Sequence, residues 1–456
     1  MTVNRRSILA ASVGLGAAAT AAYSADSMAS ESNSSEKQRT GFSDIPGLLP
    51  NASHDQTAVL QAAIDQAAAR EVPLFLPPGV IRVTDLRLRE ATRLIGAERS
   101  TTLQFAGGNA FITAEKAHGV VLRGLIIDGT FQTFNAARGE ALLNISNSRD
   151  ITIDGVDVRN SAQGGIALTT TSGQVQNCRI GDVLDFGLKS LDATGLAVSG
   201  NTITGCSNNG ILIWRTEKGE DGSTITNNRI SKIRNSAGGT GQYGNGINVY
   251  RAGSVIVAQN RITDCTYTAI RGNAANNIQI LSNSCERLGE VAIYSEFGFE
   301  GALIANNIID FAATGISVTN FNEGGRLAVI QGNLIRNLFR REHEVEDKRG
   351  EGIGVEADAV VSGNTIEGAA SVGIQIGWGP FMRDVAVTAN VVRRAKIGIT
   401  VTEARDAGAC LIANNLISKT ENGAIRQMTL GVPSGGDLAR EASGNQRITV
   451  TGNVAV

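Results

Sequence analysis

This chain of 456 residues contains few aromatic residues and few prolines, and its positive and negative charges nearly balance. Aromatic side chains make up 4% of the sequence and only seven prolines occur. A globular α/β enzyme of this length normally carries a larger aromatic core, so the composition argues against that class. The net charge of −2 provides no basic excess for nucleic acid, and we expect no nucleic-acid partner.

Cysteine and histidine are rare as well. The five cysteines are odd in number and lack the spacing of a disulfide framework or a zinc site, so we interpret them as small buried core residues. The three histidines are scattered along the chain. Because the sequence also lacks a nucleophile elbow and a phosphate-binding loop, we expect neither a metal nor a cofactor.

The N-terminal segment has the layout of an export signal. Asn4-Arg5-Arg6 precedes a short stretch rich in alanine and glycine, which predicts a twin-arginine signal peptide over residues 1–29. The alternative is an uncleaved membrane anchor. Residues 30–42 are predicted to be a disordered linker. We therefore expect the twin-arginine export machinery as a partner, a periplasmic or secreted location, and no integral membrane segment in the mature chain.

Glycine is abundant, with 54 residues, and a motif with asparagine recurs from about residue 122 onward. The motif places an apolar residue three positions before an asparagine and another two positions after it, as in Val198-Ser-Gly-Asn201-Thr-Ile203. Its spacing of roughly 22 to 38 residues lies in the range of solenoid repeats. The repeated asparagines are Asn201, Asn228, Asn260, Asn307, Asn333, Asn364, Asn390, Asn415 and Asn453.

A second motif, glycine or alanine followed by isoleucine or leucine, alternates apolar and other residues. Gly210-Ile211-Leu-Ile213 is one example, and this period of two predicts short strands with one buried face. Such strands bury their apolar faces only by stacking coil on coil, and parallel crossovers are almost always right-handed. We expect the asparagines at left-handed corners, with their amides bonded to those above and below. The predicted fold is an all-β right-handed parallel β-helix, forming a single domain over residues 43–456.

An open solenoid end exposes strand edges, so it needs a cap. Residues 55–68 form an amphipathic helical pattern with Leu60, Ile64 and Ala68 on one face. We predict that this helix lies in an N-terminal cap over residues 43–90.

Four segments resemble an uncharacterised bacterial group of twin-arginine-translocated repeat proteins within the pectate-lyase-like β-helix superfamily. They are NNGILIWR (208–215), GQYGNGINVYR (241–251), VAIYSEFGFEG (291–301) and NFNEGGRLAV (320–329). The resemblance covers nearly the whole chain and implies the β-helix fold, but it brings no assigned activity.

Alignment of the glycine–isoleucine strands places equivalent side chains of successive coils in outward columns. The first column reads Ala167, Lys189, Leu212, Asn248, Arg271, Tyr294, Ser317, Gly354, Gln375 and Thr400. The next reads Thr169, Leu191, Trp214, Tyr250, Asn273, Glu296, Thr319, Glu356, Gly377 and Thr402. The rare aromatic residues cluster here with arginine and lysine, so we expect an exposed face suited to a polysaccharide.

We assign candidate catalytic roles to Lys189, Arg271, Tyr294 and Glu296. In β-elimination on a uronate, Arg271 would neutralise the carboxylate, while Lys189 or Tyr294 would move protons if its pKa were lowered. In hydrolysis, Glu296 would work with a second acid, for which Glu356, Asp192 and Glu323 are candidates. The candidate substrate-binding residues are Trp214, Arg215, Asn248, Tyr250, Arg251 and Asn273.

The function predicted from the sequence is therefore an exported β-helix protein that binds or acts on an extracellular or cell-envelope polysaccharide, as a uronate lyase or a glycosidase. Two alternatives remain open: a non-catalytic surface protein that binds glycan or protein through the same face, and a purely structural solenoid whose charges are solvated.

Overall fold

The computed structural model describes residues 41–135, 137, 139–239, 241–319, 324–341, 350–441 and 444–456. The predicted signal peptide and all but the last two residues of the predicted linker lie outside these ranges. From Gly41 onward the chain forms one compact unit. It is the predicted all-β right-handed parallel β-helix, with about 13 coils and one short helix near the N-terminus.

Each coil contributes strands to three faces. The first face is a separate sheet, whose 15 strands within the described residues pair in parallel from one coil to the next. They are Leu74–Leu76, Arg93–Gly96, Val121–Arg123, Ile151–Asp154, Gly173–Gln176, Ala197–Ser199, Thr224–Thr226, Ile256–Ala258, Ile278–Leu281, Glu300–Ala305, Arg326–Gln331, Ala357–Ser362, Arg383–Thr388, Cys410–Ala413 and Ile448–Thr451.

The second face follows the asparagine motif. Its strands are Gly79–Val83, Thr101–Phe105, Leu125–Asp128, Asp157–Ser161, Arg179–Val183, Thr202–Cys206, Arg229–Ile233, Arg261–Cys265, Ser284–Leu288, Ile308–Asp310, Leu334–Arg336, Leu416–Ser418 and Val454–Ala455. Two long strands, Thr365–Ile376 and Val391–Thr402, run from the second face into the third.

The third face contains the glycine–isoleucine strands and continues the hydrogen-bonded sheet of the second face. Its remaining strands are Leu86–Leu88, Ile112–Glu115, Ala141–Ser146, Gly164–Thr169, Phe186–Leu191, Asn209–Glu220, Asn245–Gly253, Ile270–Asn273, Val291–Glu296, Thr314–Val318, Glu351–Val355, Ile425–Thr429 and the antiparallel Val432–Asp437.

The isoleucine of the second motif lies in the core of the solenoid. Ile211, Ile247 and Ile270 stack in register and have no exposed surface. Burial of each such side chain stabilises the fold by roughly 2 kcal/mol. The glycine of the motif allows the coils to approach, because a Cβ at Gly352 would lie 2.2 Å from the carbonyl oxygen of Gly373 in the next coil.

The repeated asparagines form a continuous buried ladder. Each side-chain Nδ2 donates to the Oδ1 of the next asparagine, and the same Oδ1 accepts the backbone N–H of the previous one. Asn283, which the sequence motif did not identify, is also a member, with its Nδ2 3.1 Å from Asn307 Oδ1. Cys178 ends the ladder, because its backbone N–H donates to Asn201 Oδ1.

The expected left-handed conformation at the ladder asparagines was wrong by one residue. Positive φ angles of 55° to 67° belong to the residue immediately before each ladder position, for example Gly200, Asn227 and Ser282. The preceding residue makes the corner, which directs the asparagine side chain inward, where its amide is shielded from water.

The predicted capping helix is present as Thr57–Ala69, and its buried residues are Leu60, Ile64 and Ala68 as expected. At the other end, the two antiparallel strands of the third face form a hairpin whose turn consists of Leu430 and Gly431, both with positive φ. No helix among the described residues has the length and apolar character needed to cross a membrane.

Candidate functional site

The strand register confirms the columns predicted for the third face. Lys189 pairs with Leu212, Leu212 with Asn248, Asn248 with Arg271, and Arg271 with Tyr294. We call the full set the middle column: Arg87, Thr113, Asn144, Ala167, Lys189, Leu212, Asn248, Arg271, Tyr294, Ser317, Gly354, Gln375, Thr400 and Arg426. At about 4.8 Å per coil it extends for roughly 60 Å along the solenoid.

Three long connections lie at the same corner, between the second and third faces. In five coils this corner takes two residues, such as 162–163 or 207–208, whereas three coils insert residues 129–140, 234–244 and 337–350. Insertions that recur on one side of a solenoid often border its binding face.

The described parts of these connections contact the third face. Glu140 Oε2 lies 2.7 Å from Lys189 Nζ. The carbonyl oxygen of Gly241 accepts a hydrogen bond of 2.6 Å from Arg271 Nη1. Arg341 Nη1 lies 3.7 Å from Glu290 Oε1. The third face is therefore bordered along one edge by polar and charged groups from inserted segments.

The expectation of an exposed face was wrong for several of its residues. Asn248 and Glu296 are only 6% and 3% exposed, and Leu212 is buried as well. Leu212 packs with Ala141, Phe186 and the partly exposed Trp214 in a small apolar cluster outside the main core. Inserted segments contact the neighbouring Lys189 and Arg271. The part of the third face from Lys189 to Glu296, which we call the central groove, is therefore partly sheltered from solvent.

Arg271 and Glu296 form a buried ion pair at the centre of this groove. Arg271 Nε and Nη2 both lie 2.5 Å from Glu296 Oε1, and the side chains are 12% and 5% exposed. Asn273 Nδ2 donates to the same oxygen at 3.2 Å. Burial raises the pKa of Glu296 above its ordinary value, although Arg271 acts in the opposite direction. Because Arg271 is held by Glu296, its guanidinium is already neutralised.

Tyr294 does not meet the condition for a proton-abstracting base. Burial, reinforced by the charge of Glu296, raises the pKa of its hydroxyl instead of lowering it. Tyr294 lines a small cavity of about 140 Å³ together with Glu290, Ser317 and Glu351. The β-elimination chemistry predicted from the sequence therefore has little support from Arg271 and Tyr294.

Lys189, Trp214 and Tyr250 form a second cluster in the three coils that precede the coil of Arg271. Lys189 Nζ lies 5.6 Å from the Trp214 ring centroid, in addition to its contact with Glu140. The Trp214 and Tyr250 rings meet edge to face with centroids 6.1 Å apart. The Arg251 guanidinium carbon lies 5.0 Å from the Tyr250 centroid. These contacts fix the orientation of both aromatic rings at the edge of the groove.

Several polar atoms of this second cluster are buried without a hydrogen-bond partner among the described residues. They are Asn248 Oδ1, Asn245 Oδ1, Trp214 Nε1 and Arg215 Nε. Buried polar atoms are nearly always hydrogen-bonded, so the unpaired Trp214 Nε1 and Asn248 Oδ1, on neighbouring strands of the third face, leave a donor and an acceptor for a polar ligand. Both kinds of atom are present, which suits a ligand rich in hydroxyl groups.

The second acids suggested for hydrolysis are placed differently. Glu356 is buried. Asp192 is occupied by Thr216, whose backbone N–H and hydroxyl donate to it at 2.9 and 2.7 Å. Glu323 lies outside the described residues. In the described part of the chain, no group of three or more His, Cys, Asp or Glu residues is arranged to hold a metal ion.

Sequence reasoning missed Glu140, Asn245 and Glu290, because they do not belong to the aligned outward columns used to select candidates. A signal was nevertheless present. The asparagine spacing lengthens to 32 residues between Asn228 and Asn260, which marks the insertion whose Gly241 carbonyl contacts Arg271.

The fold and the bordered groove place this protein in the class of right-handed parallel β-helix proteins with a surface groove along the coils. The chain belongs to the family described as right-handed beta helix region, whose profile matches residues 95–230 and 216–392. None of the curated proteins matches the sequence.

Solved structures include similar solenoids. The pre-mature gene product 12 of bacteriophage phi29 is 13% identical, with a TM-score of 0.50 over 88% of this chain and 57% of that one. The catalytic unit of the GH87 alpha-1,3-glucanase from Streptomyces thermodiastaticus strain HF3-3 is 16% identical, with a TM-score of 0.47 over 90% and 67%. The Streptococcus pneumoniae surface adhesin PfbA is 14% identical, with a TM-score of 0.42 over 85% and 92%. At 13% identity the likeness to the phage protein concerns the fold alone, and this chain spans 57% of its length.

Proposed function

We propose that this protein binds an extended polysaccharide along the groove of the third face. The observation that carries the proposal is the set of unpaired buried polar atoms at Asn248 and Trp214, next to the Trp214 and Tyr250 rings. Sugar hydroxyls would pair with the amide and indole groups, and aromatic rings pack against the apolar faces of pyranose rings. The length of the middle column suits a polymer rather than a single small molecule.

Binding has more support than β-elimination, because Arg271 is committed to Glu296 and the pKa of Tyr294 is raised. Hydrolysis is the second candidate function. In that case Glu296, whose pKa burial raises, would have to leave Arg271 and take up a proton to act as the general acid. The cavity lined by Glu290 and Glu351 lies beside Tyr294 on the same face and would accept part of a sugar chain.

The test is a binding screen of purified protein against neutral and acidic polysaccharides by affinity electrophoresis. We expect Trp214→Ala and Asn248→Ala to weaken binding roughly tenfold or more, since each removes a hydrogen bond or a ring contact from a sheltered site. The matched control is Phe75→Ala, which removes a partly exposed aromatic residue from the first face. Equal binding by all three variants would remove the third face as the site.

The same samples separate binding from catalysis. Reducing-end release would indicate hydrolysis, and absorbance of unsaturated products would indicate β-elimination. If the polymer is bound but its chain length does not change over a long incubation, the protein is a binding protein. If product forms and Glu296→Gln abolishes it without loss of binding, hydrolysis is the better assignment.

We also propose export through the twin-arginine machinery and membership in the twin-arginine-translocated repeat group. In this proposal residues 1–29 are the signal, residues 30–42 the linker and residues 43–456 one domain in the periplasm or outside the cell. The support is the Arg5-Arg6 pair followed by the alanine-rich stretch. A reporter fused to residues 1–42 should leave the cytoplasm, and substitution of both arginines by lysine should retain it.

A further inference from the structure

The largest cavity found on the third face is a groove of about 750 Å³ between the last coils and the C-terminal hairpin. Gln375 and Arg426 line it, and both belong to the middle column. Gln375 also lines the smaller cavity beside Tyr294. A polymer lying along the middle column from Lys189 would therefore reach Gln375, at the near end of this groove, after roughly 34 Å.

Positively charged side chains dominate the lining of this groove. Its charged lining residues are Arg340, Lys396, Arg426 and Arg440 on the positive side, and the carboxylate of Asp437. That carboxylate is already occupied, because it accepts the backbone N–H groups of Ala424, Ile425 and Ala439 at 2.8 to 3.1 Å. Arg426 and Arg440 together therefore outweigh the charge of Asp437 in this lining.

Arg426 is held in position by hydrogen bonds that use only part of its guanidinium. Its two terminal nitrogens donate to the carbonyl oxygens of Asn422 and Gly435 at 3.0 and 2.7 Å. Its Nε is buried and has no partner among the described residues. A guanidinium fixed by carbonyl groups keeps its full positive charge, so it is prepared to bind an anionic oxygen.

The hairpin adds an apolar wall. Leu430 and Val432 are 57% and 67% exposed, and Pro433 lies beside them in the lining. Leu430 has a φ of 46°, which is unfavourable for a bulky residue and holds this side chain at the tip of the turn. The hairpin is fastened to the solenoid by the Thr429 and Ser434 hydroxyls, which donate to Glu403 at 2.5 and 2.8 Å.

We propose that this groove binds an acidic sugar residue of the polysaccharide, with Arg426 and Arg440 contacting its carboxylate and the hairpin packing on its ring. This inference rests on the proposed polysaccharide-binding function and specifies the ligand class as an anionic polymer. Lys189 and Arg271 of the central groove do not serve this purpose, because they are paired with Glu140 and Glu296.

The experiment is isothermal titration of the whole protein with hexagalacturonate, a sulfated dextran oligomer and neutral cellohexaose. We expect the double variant Arg426→Gln/Arg440→Gln to weaken hexagalacturonate binding roughly tenfold or more, and to flatten its dependence on salt. The matched control is Arg229→Gln, an exposed arginine on the second face. Far-UV circular dichroism verifies that each variant is folded.

The outcomes separate the two proposals. The acidic-sugar site is overturned if the double variant binds hexagalacturonate as tightly as the wild type does. It is also overturned if the wild type binds cellohexaose as tightly as hexagalacturonate. Neither result affects the proposed central groove. Tighter binding of sulfated dextran than of hexagalacturonate overturns the assignment to a carboxylate. If the double variant loses hexagalacturonate while Trp214→Ala keeps it, the acidic-sugar site stands and the proposed central groove is wrong.

Discussion

Replacement of Asn283 by alanine should destabilise the solenoid far more than its small change in volume suggests. Four hydrogen bonds are lost. Asn283 Oδ1 accepts the backbone N–H and the Nδ2 of Asn260, both at 3.0 Å. Asn283 Nδ2 donates to Val257 O at 2.9 Å and to Asn307 Oδ1 at 3.1 Å. At about 1 kcal/mol net for each bond, the expected loss is roughly 4 kcal/mol.

The end of the ladder provides a matched comparison. Asn453 accepts two bonds from Asn415 and donates one to Ile412 O, but it is only partly buried and donates to no further asparagine among the described residues. Water can replace its partners there, so Asn453→Ala should cost about 1 kcal/mol. The same chemical change at two positions thus isolates the contribution of burial.

Urea unfolding measured by far-UV circular dichroism gives the loss in the global free energy of unfolding. Amide hydrogen exchange gives the local loss of stability around the substituted residue. The Asn260 N–H loses its acceptor in Asn283→Ala, so its exchange should accelerate beyond that of its neighbours. The ladder argument is refuted if this amide stays protected, or if Asn283→Ala costs no more than Asn453→Ala.

Four further outcomes follow from other contacts. The five cysteines are buried, with pKa values raised by burial, so none should react with a thiol reagent at pH 8 until denaturant is added. Arg271→Met alone should cost about 3 to 5 kcal/mol in urea unfolding, because it leaves Glu296 unpaired, and Arg271→Met/Glu296→Leu should recover most of it. Hydroxyl donors lower the pKa of Glu403, so the ionised carboxylate anchors the hairpin above the ordinary glutamate pKa and loses this role as the pH falls through the lowered pKa. Amide hydrogen exchange over residues 425–437 should then accelerate. Unchanged exchange at low pH would contradict this prediction. Gly352→Ala should lower stability by about 1 to 3 kcal/mol, since its Cβ would collide with a backbone carbonyl that cannot move aside, and an unchanged urea midpoint would contradict the packing argument.

The coil pattern was accessible to sequence reasoning because it depends on local periodicity. The alternation of apolar and other residues around Ile211 and Ile247 predicted strands. The repetition of this pattern along the chain predicted that the strands stack from coil to coil, as in a parallel solenoid. Asn283 escaped because its motif carries Cys285 in place of the usual isoleucine. The thiol is 1% exposed and fills the same core position, so the structural repeat is intact where the sequence repeat is not.

Only part of the candidate site could be predicted from the sequence. The alignment brought Lys189, Arg271 and Glu296 to the correct columns, because the strand register follows from the repeat. It did not reveal that Glu140 pairs with Lys189, since that contact crosses 49 residues of sequence and depends on how an inserted segment folds. The direction of the Tyr294 pKa shift was likewise beyond a column alignment, because it arises from burial.

The sequence by itself determined the fold, the residues in each column and the position of the capping helix, because each follows from short-range periodicity repeated many times. Only the tertiary structure decided which outward residues are sheltered and which polar atoms lack partners. Those properties depend on inserted segments, such as the one containing Gly241, whose path no repeat specifies. A solenoid repeats its core from coil to coil, whereas the insertions that border its groove occur once each.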